Sequence, residues 1–156
     1  MSDAAELLEA LRRFGLENDR LDAIVARRLQ AAPAEFKAMD HLHAAGELTP
    51  GELCDRLALT SGAVTGLIDR LVASGWVERS PHATDRRSVV VRPASRAGEA
   101  PKLYKAYRKR LEEAAAELSE EEYRACVGFL GDASAAARST AEEIRGSPGS
   151  GRAPTG

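Results

Sequence analysis

The sequence has few cysteines, and their spacing excludes the sites that cysteines usually build. Cys54 and Cys126 are the only two, so they provide neither a disulfide framework nor a CxxC metal motif. We expect each to be a small buried hydrophobe. The histidines do not indicate a metal site either, because His41 and His43 lie two positions apart on a predicted helix and point in different directions.

Long apolar runs and nucleotide-binding motifs are also absent. No stretch of about 18 apolar residues occurs, and the first residues lack a basic region followed by an apolar core. We therefore expect a soluble, cytoplasmic protein without membrane contact. The chain contains no P-loop, GxGxxG or GxSxG motif, so the sequence indicates no catalytic residue, no metal and no cofactor. We predict that the protein is not an enzyme.

The overall composition is that of a compact globular domain. The chain has 156 residues, of which 44% are hydrophobic and 29% are charged. A chain of this length buries roughly 68–70% of its unfolded surface and needs no disulfides. We predict one domain over residues 1–145. Residues 146–156 contain four glycines, two prolines and two serines, a composition typical of a disordered tail.

The charge is unevenly distributed along the chain. Residues 60–111 carry 11 Lys and Arg against 4 Asp and Glu, a balance of +7, whereas residues 112–144 have a balance of −7. A basic middle segment between acidic flanks favours a centre that binds a polyanion. Charge alone leaves open the alternative that these are merely solvated faces.

Apolar periodicity and start signals predict the helices. A first helix covers residues 4–30, with Gly15 as a candidate break, and a second begins at Pro33 and ends near Gly46. Thr49-Pro50-Gly51-Glu52 is a capping box that starts a short third helix. The fourth helix begins with Thr60 or Ser61 as its cap and ends at Ser74-Gly75. Its apolar residues follow helical spacing without exception: Val64, Leu67, Ile68, Leu71 and Val72.

Two short strands follow the fourth helix, at residues 76–79 and 88–91, with a polar loop between them. Helix is predicted again over 95–118 and, after the capping box Ser119 to Glu122, to near Ile144. Two short helices joined by a tight turn and followed by a β-hairpin form a winged helix-turn-helix. The predicted fold is therefore mainly α with a small β-hairpin wing. The winged helix-turn-helix lies at about 33–98, and helices 1–32 and 99–145 flank it.

The fourth helix has small and polar residues opposite its apolar stripe, which allows close approach to DNA. Ser61 and Thr65 offer hydroxyls, Ala63 suits a thymine methyl, and Arg70 suits guanine or phosphate. Two alternatives stay open: Gly62 can simply ease the turn, and Asp69 can pair with Arg70 on the surface. The predicted contacts on this helix, its cap and the adjoining strand are Thr60, Ser61, Gly62, Ala63, Thr65, Gly66, Arg70 and Arg79.

The loop of the hairpin carries the strongest charge signal. Arg86 and Arg87 are adjacent on a protruding turn, where they gain little from folding but suit a narrow, electronegative minor groove. Asp85 would repel phosphate unless it pairs with an arginine, so we expect it to brace Arg87. Trp76 is interpreted as a core residue beneath the wing.

The order of these motifs resembles the MarR (multiple antibiotic resistance regulator) family over about residues 47–98. The resemblance implies a homodimeric winged-helix transcription regulator, usually a repressor, that binds a pseudo-palindromic operator and is often released by a small aromatic anion. It places Ser61 to Arg70 in the recognition helix and Asp85 and Arg87 at the wing tip. The matching segments are Leu48-Thr49, Glu52-Leu53, Leu59 to Thr65, Leu67 to Leu71, Gly75 to Arg79 and Asp85 to Arg87.

The sequence departs from the family pattern in two places. Gly66 stands where many relatives have a longer side chain, and Ala94 stands where a threonine usually follows the wing. Pro101 falls in the first turns of the next helix, where it is expected to shift or kink that helix.

The terminal helices carry apolar residues beyond the needs of one small core. The last helix has a shallow coiled-coil-like seam, and we expect it to pair two subunits. The seam residues are Tyr123, Val127, Leu130, Ser134, Ala137, Ala141 and Ile144.

A candidate effector pocket lies on the second helix, where Phe36, Met39 and His43 follow helical spacing. An aromatic ring, a thioether and an imidazole suit a small aromatic anion, with Arg12, Arg13, Arg20 or Arg27 as its charge partner. The alternative is that these residues are ordinary interhelical core.

Two functions remain open from the sequence. The first is a DNA-binding transcriptional repressor, with operator DNA, a second copy of the chain and a small aromatic anion as partners. The second is a winged-helix module that binds proteins and not DNA. The basic segment and the two wing arginines favour the first.

Overall fold

The computed structural model describes residues 3–82 and 88–146, and it divides into two compact units, Met1–Lys105 and Ala106–Gly156. As predicted, the fold is mainly α-helical with a two-stranded antiparallel wing. None of the helices among the described residues is long and apolar enough to cross a membrane. The elements in chain order are α1 (Asp3–Leu29), α2 (Pro33–Ala45), α3 (Pro50–Leu57), α4 (Ser61–Ala73), β1 (Val77–Pro81), β2 (Val89–Pro93), a 3-10 helix (Ser95–Gly98), α5 (Glu99–Leu103), α6 (Lys105–Ala116) and α7 (Glu120–Gly146).

The capping box at the start of α3 forms as the sequence predicts. The Thr49 hydroxyl accepts the Glu52 N–H at 3.2 Å, and the Glu52 carboxylate accepts the Thr49 N–H at 2.7 Å. These bonds satisfy backbone donors that a helix start leaves without intrahelical partners. Ser119 and Glu122 make the same reciprocal pair at the start of α7.

The turn between α3 and α4 is short and includes a left-handed residue. Ala58 has φ 52°, a conformation that costs a residue with a Cβ about 1–2 kcal/mol. The Leu59 N–H donates to the Cys54 carbonyl at 3.1 Å, which closes the turn. Thr60 then caps α4 by accepting the Ala63 N–H at 3.4 Å.

One apolar face of α4 is almost completely buried. Its four core residues, Val64, Leu67, Ile68 and Leu71, are each no more than 1% exposed. They pack in one cluster with Leu42 of α2 and Leu53 of α3, among others. Val72 was predicted to share this face but is 37% exposed, because it lies at the edge of the stripe.

The wing pairs β1 with β2 in an antiparallel register that aligns Val77 with Pro93 and Pro81 with Val89. The chain between α2 and α3 adds a further bridge. Leu48 and Val91 exchange two backbone hydrogen bonds, of 3.0 and 2.8 Å, and both side chains are buried. The root of the wing is therefore tied to the helix-turn-helix by backbone as well as by side chains.

Two predicted helices have different boundaries in the structure. Gly15 does not break α1, which is continuous from Asp3 to Leu29. A single glycine lowers the stability of a helix by only about 1 kcal/mol. The predicted helix 95–118 is three pieces. Pro101 has no N–H to extend the 3-10 helix by a further hydrogen bond. Pro101 lies instead in the short helix α5, which begins at Glu99 and ends before Tyr104. The Tyr104 hydroxyl donates to the Asp22 carboxylate of α1 at 2.5 Å.

The two cysteines lie in different environments. Cys54 is half-buried and packs against the core, as expected. Cys126 on α7 is exposed, so the expectation of burial is wrong there. In the second unit α6, α7 and the turn between them expose large apolar side chains: Leu111, Leu118, Tyr123, Val127, Leu130 and Ile144.

The burial of α4 generates a stability prediction. Leu71→Ala removes a side chain that is 1% exposed, so we expect the free energy of unfolding to fall by about 2–5 kcal/mol. Val72→Ala, one residue later and 37% exposed, is the matched control and should change it by no more than about 0.5 kcal/mol. Urea unfolding followed by circular dichroism measures both. Equal losses would contradict the assignment of the buried face.

Candidate nucleic-acid interface

The face of α4 opposite the core presents short side chains to solvent. Thr60, Ser61, Gly62, Ala63 and Thr65 are exposed, and Gly66 is half-buried. The structure thus brings these predicted contact residues together on one surface, at the N-terminal half of the helix. Short side chains there let a partner approach the backbone closely, and the first turn of a helix has N–H groups that favour anions.

Two hydroxyls on this surface are oriented by the helix itself. The Thr65 hydroxyl donates to the Ser61 carbonyl at 2.9 Å, which leaves its oxygen able to accept. The Thr60 hydroxyl accepts the Ala63 N–H, so its own proton is available to an acceptor such as a phosphate oxygen. The two hydroxyls therefore offer opposite hydrogen-bonding capacity.

Arg70 pairs with a residue of another helix. Its Nε donates to Oε1 of Glu35 in α2 at 2.7 Å, while 62% of its side chain is exposed. The local pair with Asp69 that the sequence left open does not form. One guanidinium nitrogen, Nη1, lies 3.6 Å from the position that a Cβ on Gly66 would occupy. The Arg70 guanidinium therefore lies beside Gly66 on α4.

Asp69 instead links the recognition helix to the wing. Its Oδ1 accepts a hydrogen bond from Arg79 Nη2 of β1 at 2.7 Å, and both side chains are more than one-third exposed. Arg79 was predicted from the sequence as a contact residue. The structure places it beside α4, with the pair spanning the junction of helix and hairpin.

Glu35 is a site residue that the sequence analysis missed. Its carboxylate accepts the Ala32 N–H at 3.0 Å and Arg70 Nε at 2.7 Å, and only 15% of its side chain is exposed. Burial raises the pKa of this carboxyl, but the hydrogen bonds from Arg70 and Ala32 lower it by more, so the pKa lies below its ordinary value. The available signal was its place three residues after Ala32, the residue that precedes the helix start at Pro33.

Arg96 is a second missed residue, and its role is structural. Its guanidinium lies 4.2 Å from the centroid of the Trp76 ring, and Nη1 donates to the Ser74 carbonyl at 3.0 Å. Its Nε also pairs with Glu99 at 3.2 Å. Trp76 is 3% exposed, which agrees with its interpretation as a core residue beneath the wing.

The tip of the wing lies outside the described residues. The roles predicted for Asp85, Arg86 and Arg87 therefore stay predictions. On the described strands, Arg92 of β2 pairs with Glu78 of β1 at 2.7 Å, and both side chains are half exposed. Four arginines of α4, the wing and the following turn thus donate to carboxylates: Arg70, Arg79, Arg92 and Arg96 to Glu35, Asp69, Glu78 and Glu99.

The structure separates the three residues predicted for an effector pocket. Phe36 and Met39 are buried in the core, and His43 is exposed. Phe36 also lines a pocket of about 440 Å³ between α1 and α2, to which Met39 and His43 do not contribute. Of the arginines proposed as charge partners, Arg27 lines this pocket. Its other lining residues are Asp19, Asp22, Ala23, Ala26, Ala31, Pro33 and Lys37.

The part of the chain that the structure describes offers no group of three or more His, Cys, Asp or Glu side chains suited to a metal ion. The chemistry of the site therefore rests on hydroxyls, backbone N–H groups and guanidinium groups.

Comparison with known proteins identifies the family. A sequence model of the MarR family matches residues 32–88. The chain is 32% identical over 127 residues to YcgE of Bacillus subtilis (strain 168), named an uncharacterized HTH-type transcriptional regulator, which covers 81% of this chain and 82% of that protein. The chain belongs to the MarR family. Members of the MarR family are transcription regulators and not enzymes.

Two further similarities concern MarR itself. The multiple antibiotic resistance protein MarR of Escherichia coli (strain K12) is 40% identical over 76 residues, which are 49% of this chain and 53% of MarR. A crystal structure of a cysteine-to-serine mutant of E. coli MarR complexed with operator DNA matches with a TM-score of 0.52 and 28% identity. That match covers 82% of this chain and 93% of the MarR chain.

The contacts of Arg96 generate a prediction that separates an arginine packed against the core from one in a surface ion pair. Arg96→Ala loses the stacking on Trp76 and the bond to the Ser74 carbonyl, so we expect about 1–2 kcal/mol lower stability. Arg92→Ala removes only a half-exposed pair and should cost less than about 1 kcal/mol. Chemical unfolding of both variants provides the measurement. An Arg92→Ala loss as large as that of Arg96→Ala would contradict this division.

Proposed function

We propose that the protein is a cytoplasmic transcriptional repressor that binds a pseudo-palindromic operator as a homodimer. The observation that carries the proposal is the two-sided character of α4. The four core residues on one side are at most 1% exposed. The other side presents Ser61, Gly62, Ala63 and Thr65 to solvent. A helix held in this way can enter a major groove with its short residues against the base edges.

Charge in the same lobe supports a polyanion as the partner. Residues 60–98 carry six arginines against three Asp and Glu, a balance of +3, and Arg70 and Arg79 lie on and beside α4 with much of their side chains exposed. Guanidinium groups carry five N–H donors, so an ion pair through one of them leaves capacity for a base or phosphate. Arg86 and Arg87 would add minor-groove contacts from the wing tip.

Exposed apolar residues on the terminal helices support a homodimer. Val127 and Leu130 are 54% and 49% exposed, and α1 exposes Leu8 and Phe14 to a similar degree. Such surfaces on one chain are typical of interfaces. Two recognition helices about 34–36 Å apart are needed to read two half-sites, which one copy cannot supply. We therefore assign residues 1–32 and 99–145 to dimerisation and about 33–98 to DNA binding.

The alternative, a winged-helix module that binds proteins, is disfavoured by the same surface. The N-terminal half of α4, over residues 61–66, exposes no large apolar side chain that would anchor a protein interface. Its glycines, alanines and hydroxyls instead match the requirements of a groove.

The pocket between α1 and α2 supports a small-molecule effector. It combines the apolar surface of Phe36 with the cations of Arg27 and Lys37, which suits an aromatic ring that carries an anionic group. Asp19 and Asp22 also line this pocket, so an additional amino or hydroxyl donor on the ligand would find acceptors. Such a ligand would release DNA by favouring a spacing of the recognition helices that does not fit the operator.

Salt dependence tests DNA binding and the wing together. We expect the logarithm of the binding constant for an inverted-repeat duplex to fall linearly with the logarithm of salt concentration. Arg87→Ala should reduce that slope by about one phosphate equivalent. Fluorescence anisotropy across a salt series measures both slopes. Wild-type protein that binds no duplex at low salt would leave the protein-binding module as the better reading.

Oligomeric state tests the seam on α7. Leu130→Glu places a charge on an exposed apolar residue of the seam, so we expect it to yield monomers where the wild type is a dimer. Asp132→Lys changes the charge on the opposite side of the same helix, at an exposed position, and is the control. Light scattering at micromolar concentration gives the mass. A monomeric wild-type protein would contradict the homodimer.

Ligand binding tests the pocket with salicylate as the probe. We expect salicylate to raise the melting temperature and to release duplex DNA. Ala23→Phe should abolish both effects because the larger side chain occupies the pocket that Ala23 lines. Ala10→Phe, an exposed position on the same helix, is the control. Binding that survives Ala23→Phe would place the ligand elsewhere.

A further inference from the structure

Glu35 connects two elements that are far apart in sequence. Its Oε2 accepts the Ala32 N–H at the start of α2, and its Oε1 accepts Arg70 Nε near the end of α4. Both oxygens of the carboxylate are therefore engaged, one by fixed backbone and one by the guanidinium. With 15% of its side chain exposed, Glu35 has little freedom to turn towards solvent.

Arg70 would otherwise be a mobile side chain. It is 62% exposed, and an arginine side chain on a helix surface can adopt many rotamers. The contact with Glu35 restricts this freedom without burying the cation. Because the guanidinium is planar and rigid, fixing Nε on one edge also fixes the direction of the two terminal nitrogens.

One terminal nitrogen of Arg70, Nη1, lies beside Gly66 on the recognition helix. Nη1 is 3.6 Å from the position that a Cβ of Gly66 would occupy, which is an ordinary van der Waals distance. The guanidinium therefore extends along α4 towards its small-residue face. A guanidinium fork of fixed direction is the group that reads guanine O6 and N7 in the major groove.

We propose that Glu35 is a positioning residue that sets the direction of the Arg70 guanidinium and so determines which base pair the protein prefers at one operator position. This role rests on the proposed function, because it requires α4 to lie in a major groove. Glu35 itself need not touch DNA.

Two other roles for Glu35 have different consequences. If Glu35 only competed with phosphate for Arg70, its neutralisation would strengthen binding to every sequence equally. If Glu35 only stabilised the start of α2, its neutralisation would lower the melting temperature and leave base preference unchanged. Base preference therefore separates positioning from both.

The test compares the base preferences of four proteins: wild type, Glu35→Gln, Arg70→Ala and Glu78→Gln. Each selects duplexes from the same random-sequence pool at the same salt concentration. Glutamine keeps an oxygen that can accept the Ala32 N–H but loses the charge that holds Arg70. Glu78→Gln is the matched control, because Glu78 accepts Arg92 Nε at the same 2.7 Å in the same lobe but lies on the wing.

We expect the wild type to enrich an inverted repeat and Arg70→Ala to lose preference at one base pair of each half-site by about fivefold or more. Glu35→Gln should lose preference at that same base pair and keep the others. Glu78→Gln should keep the whole pattern. Anisotropy titrations with the enriched duplex and with a scrambled duplex then confirm that Glu35→Gln lowers the ratio of the two affinities.

Three results would overturn the proposal. If the Glu35→Gln protein kept its preference at the base pair that depends on Arg70, Arg70 would need no positioning. Arg70→Ala with an unchanged pattern would show that Arg70 reads no base. Equal gains of Glu35→Gln on the enriched and scrambled duplexes would identify Glu35 as a competitor of phosphate. By contrast, a wild-type protein that enriches no sequence would contradict the proposed function itself.

Discussion

The burial of one face of α4 is the constraint on which the rest of the DNA-binding lobe depends. Val64, Leu67, Ile68 and Leu71 together exclude water from the centre of the first unit, and the helices α2 and α3 and the wing pack around them. A helix rotated by even one residue about its axis would expose part of this stripe. The direction of the opposite face, with Gly62 and Thr65, is therefore fixed by hydrophobic packing that takes no part in binding.

The ion pairs of the lobe have a different function from its core. The pairs of Arg79 and Arg92 are exposed on both sides, and such pairs contribute at most about 1 kcal/mol each to stability. Their main effect is to give long cationic side chains defined directions. An ordered cation loses less conformational entropy when it meets a base or a phosphate than a mobile one does. Arg96 is the exception, since its stacking on Trp76 makes it part of the fold.

Local signals explain which parts of the structure were predictable. The α4 stripe, the capping boxes at Thr49 and Ser119 and the hairpin follow from periodicity and from bonds between residues three positions apart. The residues that make these interactions lie within a few positions of one another, so they can be predicted from one sequence. The contact face of α4 was predictable for the same reason, because it is the complement of the stripe.

Contacts between distant residues explain the rest. Glu35 and Arg70 are 35 positions apart, and only the packing of α2 against α4 brings them together. The pairing of Asp69 with Arg79 similarly depends on the angle at which the hairpin leaves α4. The predicted helix 95–118 is interrupted at Tyr104, whose hydroxyl donates to Asp22 on α1. Because Asp22 is 82 positions away in sequence, no local pattern could predict this bond. The exposure of side chains at the edge of the α4 stripe, such as Val72, depends on a few degrees of helix rotation.

The bridge between Leu48 and Val91 has a mechanical consequence. Leu48 lies directly between α2 and α3, and two backbone hydrogen bonds join it to the middle of β2. A hinge at the base of the hairpin would break both bonds, at about 0.5–1.5 kcal/mol each, and would expose two buried side chains. The bridge therefore opposes bending of the hairpin root away from the chain between α2 and α3.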